Sequence, residues 1–245
     1  MKILHTADWH IGSYKGPEKN GVNVRGNDII SCLNFMVEKT KEIAPDLIVI
    51  SGDTFNVAKE WSDKVLPEMI NAISIITELS MIAPVCLLRG TLNHDGIGQF
   101  QLLNDVFKNN TAVTIFCEPA VKTIETKDGR INIAALPGFD RGVYRTKFPG
   151  LSKEEENLTF TNELGNTVIG LRSMCDKNYP SVLISHYTVP GANMESGQTA
   201  FFGQAEPMLM PETLDAANFD LVALGHTCHK GICGARTYHD CEDLH

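Results

Sequence analysis

Short runs of Val, Ile and Leu that end abruptly in polar, chemistry-bearing residues constrain this chain more than any other feature. Lys2–Thr6, Asp46–Gly52, Pro84–Gly90, Val113–Cys117, Ile131–Leu136, Ser181–His186 and Asp220–Gly225 are such runs. Their length and lack of strict alternation fit strands buried on both faces. Between the early runs the apolar period changes. Ile29, Leu33, Met36 or Val37, and Ile43 or Ala44 keep helical spacing, as do Val65, Met69, Ile73 and Ile76. Strand–helix–strand alternation predicts an α/β layered fold. From 113 to 136 the strands crowd together, which predicts an antiparallel portion with Lys127-Asp128-Gly129 as its hairpin turn. Ser152 followed by Glu155 predicts a capping box. The Lys153-Glu154-Glu155-Glu156 run behind it reads as the start of a solvated surface helix.

The polar ends of these runs share one chemistry. The first ends in His5-Thr6-Ala7-Asp8-Trp9-His10 and the second in Gly52-Asp53-Thr54. The third leads to Arg89-Gly90-Thr91-Leu92-Asn93-His94-Asp95. Later ones end in Ser185-His186-Tyr187 and Gly225-His226-Thr227-Cys228-His229. In open α/β sheets ligands bind outside the carboxyl ends of strands, so these side chains can converge. Carboxylate oxygen, imidazole nitrogen and amide oxygen suit manganese, iron or zinc without thiolates. Two ions about 3.5–4 Å apart, sharing one carboxylate, grip a phosphate ester and lower the pKa of a bound water. Taken singly, each element has a plainer reading. Gly52-Asp53 is a common strand-end turn, Asn93-His94-Asp95 suits a helix cap, and a lone His186 suits a hydrogen-bonded core. The ordered set, each member after a β-run, points instead to a two-metal site.

Composition narrows the setting. Charged and apolar fractions are those of an ordinary globular protein, and no stretch of apolar residues is long enough for a membrane span. The first apolar run follows a single lysine, with no leader pattern, so a cytoplasmic protein is expected. The net charge of −9 counts against a nucleic-acid partner. That count includes carboxylates whose charge bound ions would cancel locally. Seven cysteines, widely spaced and odd in number, predict free thiols rather than a disulfide framework. Cys228, His229, Cys233, His239, Cys241 and His245 form an irregular Cys/His-rich tail, better read as a divergent final strand than a structural zinc site.

Asp8-x-His10, Gly52-Asp53, Asn93-His94-Asp95, His186 and Gly225-His226 together resemble the signature of the calcineurin-like metallophosphoesterases over essentially the whole chain. The opening His5-Thr6-Ala7-Asp8-Trp9-His10-Ile11-Gly12, with Gly52-Asp53-Thr54-Phe55 and Ser185-His186-Tyr187-Thr188-Val189, is similar to the SbcD-like DNA repair nucleases within that superfamily. The resemblance implies a four-layer α/β/β/α sandwich of mixed sheets, forming one catalytic domain over residues 1–245 with its active site at strand C-terminal ends. It implies two divalent ions, manganese foremost, with magnesium, iron or zinc as alternatives. Asp8, His10 and His229, the last histidine of the Gly225–His229 motif, would hold the first ion. Asp53 would bridge, and Asn93, His186 and His226 would hold the second. His94 would act on the phosphate or leaving oxygen, and Asp95 would orient His94 by a hydrogen bond. DNA, a homodimer and an SbcC-like SMC-type ATPase are the implied partners, with no membrane.

Three departures stand out. Thr91 and Leu92 separate Gly90 from Asn93, where the family places glycine beside asparagine. Two residues rather than one separate His226 from His229, which requires a bulge or turn. The capping domain and ATPase-docking segment of SbcD-type nucleases are expected to be absent. Arg89, Arg141, Arg145 and Lys147 are candidate phosphate contacts, and Phe201-Phe202, in the loop Gly191–Gly203, could stack on a base. Competing functions are a small-molecule phosphodiesterase or phosphatase, and a non-catalytic subunit that binds nucleic acid or an ATPase.

Overall fold

The computed structural model describes residues 1–12, 14–19, 22–59, 67–139, 141–190, 206–226, 231–233 and 236–240. In chain order the elements are β1 (Ile3–Thr6), β2 (Glu18–Lys19), β3 (Val22–Asn23), α1 (Val24–Ile43), β4 (Leu47–Ser51), α2 (Pro67–Ser80), β5 (Val85–Leu88), α3 (Ile97–Phe107) and β6 (Val113–Phe116). They continue with β7 (Ala120–Thr126), β8 (Gly129–Leu136), α4 (Arg141–Lys147), α5 (Lys153–Met174), β9 (Ser181–His186), α6 (Pro211–Ala217), β10 (Leu221–Gly225), β11 (Gly231–Cys233) and β12 (Arg236–Asp240).

Two larger sheets organise the chain. The first runs β1-β4-β5-β6, and its pairings are all parallel. The second runs β11-β12-β10-β9-β8-β7 and is mixed, with β7 and β11 antiparallel to their neighbours. Side-chain alternation along each strand sorts the core into layers. In β4, Ile48 and Ile50 pack with Leu33 and Val37 of α1 and Ile76 of α2. Leu47 and Val49 point the other way and meet Ile133 of β8, Ile184 of β9 and Ala223 of β10. Leu183 of β9 and Leu224 of β10 then face Phe160, Leu164 and Val168 of α5 and Leu214 of α6. The result is the expected α/β/β/α order. All four apolar residues of β4 are fully buried, a gross gain of about 6–12 kcal/mol at about 1.5–3 kcal/mol per side chain.

Local signals set most element ends. Asn23 accepts from Gly26 N at 3.0 Å and caps α1, which closes on Ala44 in a left-handed conformation (φ 49). The Ser152–Glu155 capping box is formed in both directions, at 3.3 and 2.9 Å. Met69, Ile73 and Ile76 lie on the buried side of α2, whereas Val65 lies outside the described residues.

Two expectations needed correction. β6 does not join the antiparallel portion: it pairs parallel with β5 at the edge of the first sheet. The antiparallel hairpin is β7–β8 alone, turning at Lys127-Asp128 with Gly129 at φ +110. α5 is not a solvated surface helix either. Phe160, Leu164, Val168 and Leu171 recur along it every three or four residues and are buried against the second sheet. Cys32, Cys86, Cys117 and Cys175 are free thiols, and burial pushes that of Cys86 up to about 12. Among the described residues no helix is long and apolar enough to cross a membrane.

Candidate metal centre

Five strand ends, three from the first sheet and two from the second, deliver polar side chains to one place. Asp8 and His10 follow β1, Asp53 follows β4, and the Thr91–Asp95 turn follows β5. His186 closes β9 and His226 follows β10. The loop after β1 runs alongside the loop after β4: Asp8 N donates to Gly52 O, His10 N to Asp53 O and Ile11 N to Thr54 O, at 2.9–3.0 Å. This continues the β1–β4 ladder while the backbone turns left-handed at Asp8, His10 and Asp53 (φ 52, 48 and 48); His226 follows suit at φ 84. Left-handed backbone costs a non-glycine residue about 1–2 kcal/mol. Four such residues in one site are strain of the kind that clusters where function needs it.

Two glycines allow the close packing. At Gly52 (φ +95) an added Cβ would stand 2.5 Å from His186 Nδ1, and at Gly90 it would stand 2.2 Å from Asp53 N and Oδ1. Neither position has room for a side chain.

Asp53 is the hub. Its Oδ1 accepts from Thr91 N at 2.7 Å and from Thr91 Oγ1 at 3.0 Å. Its Oδ2 lies 3.1 Å from His186 Nε2 and 3.9 Å from His94 Nε2. His10, Asp53 and His94 bring ligand atoms within 4.8 Å of one another, and so do Asp53, His186 and His226. The two triads share Asp53. Asp8 sits between them: its Oδ1 is 3.8 Å from His10 Nε2 and 3.9 Å from His186 Nε2, and its Oδ2 accepts from His226 N at 3.1 Å.

Hydrogen bonds fix two of the rings. His186 Nδ1 lies 2.6 Å from Ser51 O and His94 Nδ1 lies 2.6 Å from Asn56 O. A carbonyl only accepts, so each Nδ1 carries the proton and Nε2 turns to the site. Among the described residues, the fully buried His186 Nε2 makes no well-directed hydrogen bond despite its short approach to Asp53, and the buried His10 Nδ1 has no partner either.

Electrostatics point the same way. Burial pulls His186 down, yet the carboxylates of Asp53 and Asp8 and the Ser51 carbonyl lift it to about 10. Burial pushes Asp53 up, but His186, His94 and His10 hold it below the usual carboxylate range. Burial lowers His10 despite Asp53 and Asp8. Buried carboxylates therefore depend here on positive charge. With two buried imidazole nitrogens lacking partners among the described residues, this donor set fits divalent cations of borderline softness.

The remaining expected residues fall out differently. Asp95 does not orient His94. It is fully buried, and its oxygens accept from Phe55 N at 3.0 Å and Gly90 N at 2.7 Å, tying the β4 and β5 loops together. His94 has the Asn56 carbonyl instead. Asn93 is exposed on the turn; its carbonyl accepts from Ala58 N at 2.8 Å and it lines the cleft over the site. His229, Phe201-Phe202 and most of the Cys/His-rich tail lie outside the described residues. Arg145 is paired with Glu156 at 3.2 Å, and Arg89 is half-buried with Nη2 on Gly138 O at 3.5 Å.

The cleft, about 390 Å³, is bordered by Thr91, Asn93, Phe139, His186, Glu206 and His226. Thr91, Phe139 and Glu206 are not among the residues expected from the sequence, and two of them touch the ligand set. Thr91 directly follows Gly90, and that adjacency was the available signal. Glu206 follows none of the apolar runs and fits no motif; its Oε1 lies 3.1 Å from His226 Nε2.

A family model described as calcineurin-like phosphoesterase matches residues 1–230, and the chain belongs to this family of metal-dependent phosphoester hydrolases. Solved structures share the fold at low identity. One crystal structure is 10% identical with a TM-score of 0.57, over 98% of this chain and 90% of that one. Another, titled GAP50, the anchor in the inner membrane complex of Plasmodium, is 13% identical with a TM-score of 0.51, over 99% of this chain and 71% of that one.

Proposed function

We propose that this chain is an SbcD-like nuclease that hydrolyses DNA phosphodiester bonds at a site for two divalent ions, with manganese the preferred metal. The observation that carries the reading is the sharing of Asp53 by two ligand triads. Bound ions would supply charge to stabilise the attacking and leaving oxygens and would acidify a water. Asp53, held in place by the Thr91 amide and hydroxyl, would belong to both positions. Asp8, His10, His186 and His226 would complete the ligand set. In the first triad Asp8 would stand beside His10 and Asp53 as ligand in place of His94, which, with a third of its side chain exposed and Nδ1–H held by Asn56 O, would donate from Nε2 to the leaving oxygen in its doubly protonated form.

The cleft volume admits a nucleotide-sized unit, and the opening motif His5–Gly12 favours nucleic acid over a free metabolite. An SMC-type ATPase partner and a homodimer belong to the same proposal, as does a cytoplasmic setting. The net charge of −9 favours a second reading, a small-molecule phosphodiesterase. Hydrolysis rates for a DNA hairpin and for a nucleotide-sized aryl ester, measured with manganese, separate the two. Cleavage of the hairpin supports the nuclease; turnover of the ester with an intact hairpin refutes it.

A further inference from the structure

His226 reaches one cation triad, yet its Nε2 is already engaged by Glu206 Oε1 at 3.1 Å. The same carboxylate oxygen accepts from Thr188 Oγ1. Thr188 is itself anchored, because its carbonyl accepts from Leu209 N at 2.9 Å. At its other end, His226 N donates to Asp8 Oδ2 at 3.1 Å. The residue is thus held at two points, its backbone by Asp8 and its ring by Glu206 through Nε2.

The geometry points to Glu206 as a positioning residue for His226, an inference that rests on the two-ion reading above. A carboxylate can only accept, so it fixes the proton on Nε2 and leaves Nδ1 as the nitrogen free to bind a cation. Carboxylate partners of this kind orient a ligating histidine and raise its basicity, and losing one costs about 10–100-fold in metal affinity. Thr188 keeps the carboxylate from turning to solvent. Glu206 also borders the cleft, so whatever fills the cleft meets the group that sets the ring.

The experiment compares parent, Glu206→Ala and Glu206→Gln. Manganese binding is measured by calorimetric titration, and the His226 tautomer is read by nitrogen-15 NMR of the metal-free proteins. Gln keeps an oxygen acceptor, so it separates positioning from direct ligation. The expected result has three parts. Ala weakens one of two ions by about 10–100-fold. Gln restores most of that affinity. The Nε2–H form of His226, dominant in the parent, is lost in Ala. Parent-like binding by Ala overturns the proposal, and so does Gln binding as weakly as Ala, which would make the carboxylate a direct ligand. An unchanged tautomer in Ala overturns it independently of metal. A parent that binds no manganese refutes the two-ion reading, while the tautomer still decides the role of Glu206.

Discussion

Replacing Asp95 by Asn should change stability with a sign that depends on pH. Asp95 is fully buried, and its ionised form is opposed by burial and by the nearby Asp53 carboxylate, against hydrogen bonds from Gly90 N and Phe55 N. The balance raises its pKa from 3.8 to about 7. Between those values the folded state holds a proton that the unfolded state has released, so folding loses stability as pH rises through the window. The gap corresponds to roughly 4 kcal/mol once both states are ionised. Asn carries no charge and escapes that cost, but it presents only one acceptor to two amides, a loss of about 1–3 kcal/mol. At about pH 8 the variant should therefore exceed the parent by about 1–3 kcal/mol, and at about pH 4.5 it should match it or fall up to about 2 kcal/mol below. Urea unfolding of both proteins in chelator across this range measures the difference directly. A difference that stays flat would refute the reasoning. A difference that falls as pH rises would show the two amides outweighing burial and Asp53.

Other substitutions probe the site. His94→Ala should lower kcat on a DNA hairpin by about 10²–10⁴-fold while manganese binding, followed by calorimetry, is retained. Gly90→Ala should abolish manganese binding and lower the melting temperature, because its Cβ would collide with Asp53 at 2.2 Å. Thr91→Val removes one of the donors to Asp53 but keeps the amide at 2.7 Å. It should weaken manganese binding by about tenfold or more, since a hydrogen bond to a charged acceptor is worth about 1.5–3 kcal/mol.

What the sequence made legible is what local pattern encodes. Buried β-runs such as Leu47–Ser51 carry their own signature, and the polar residues at their ends follow from where the runs stop. The convergence of Asp8, His10, Asp53, His186 and His226 was readable for that reason. The capping box at Ser152 was equally local. Pairing partners are not local, so β6 was assigned to the wrong neighbours even though its strand character was evident. In α5 the acidic first turn drew the reading toward solvent and masked the stripe from Phe160 to Leu171. Asp95 accepts from the Phe55 and Gly90 amides and not from the adjacent His94, and those partners are set by the packing of two loops that sequence adjacency does not reveal. Glu206 reaches His226 across 20 residues of chain, a tertiary contact that no periodicity marks.

The proposed two-ion site requires Asp53 to serve two cation positions at once. Calorimetric titration with manganese of the parent and of Asp53→Ala, a substitution that removes both oxygens, tests it most directly. Two ions per chain in the parent and no tightly held ion in the variant are predicted. A parent that binds fewer than two ions, or a variant that still binds two, would contradict the account.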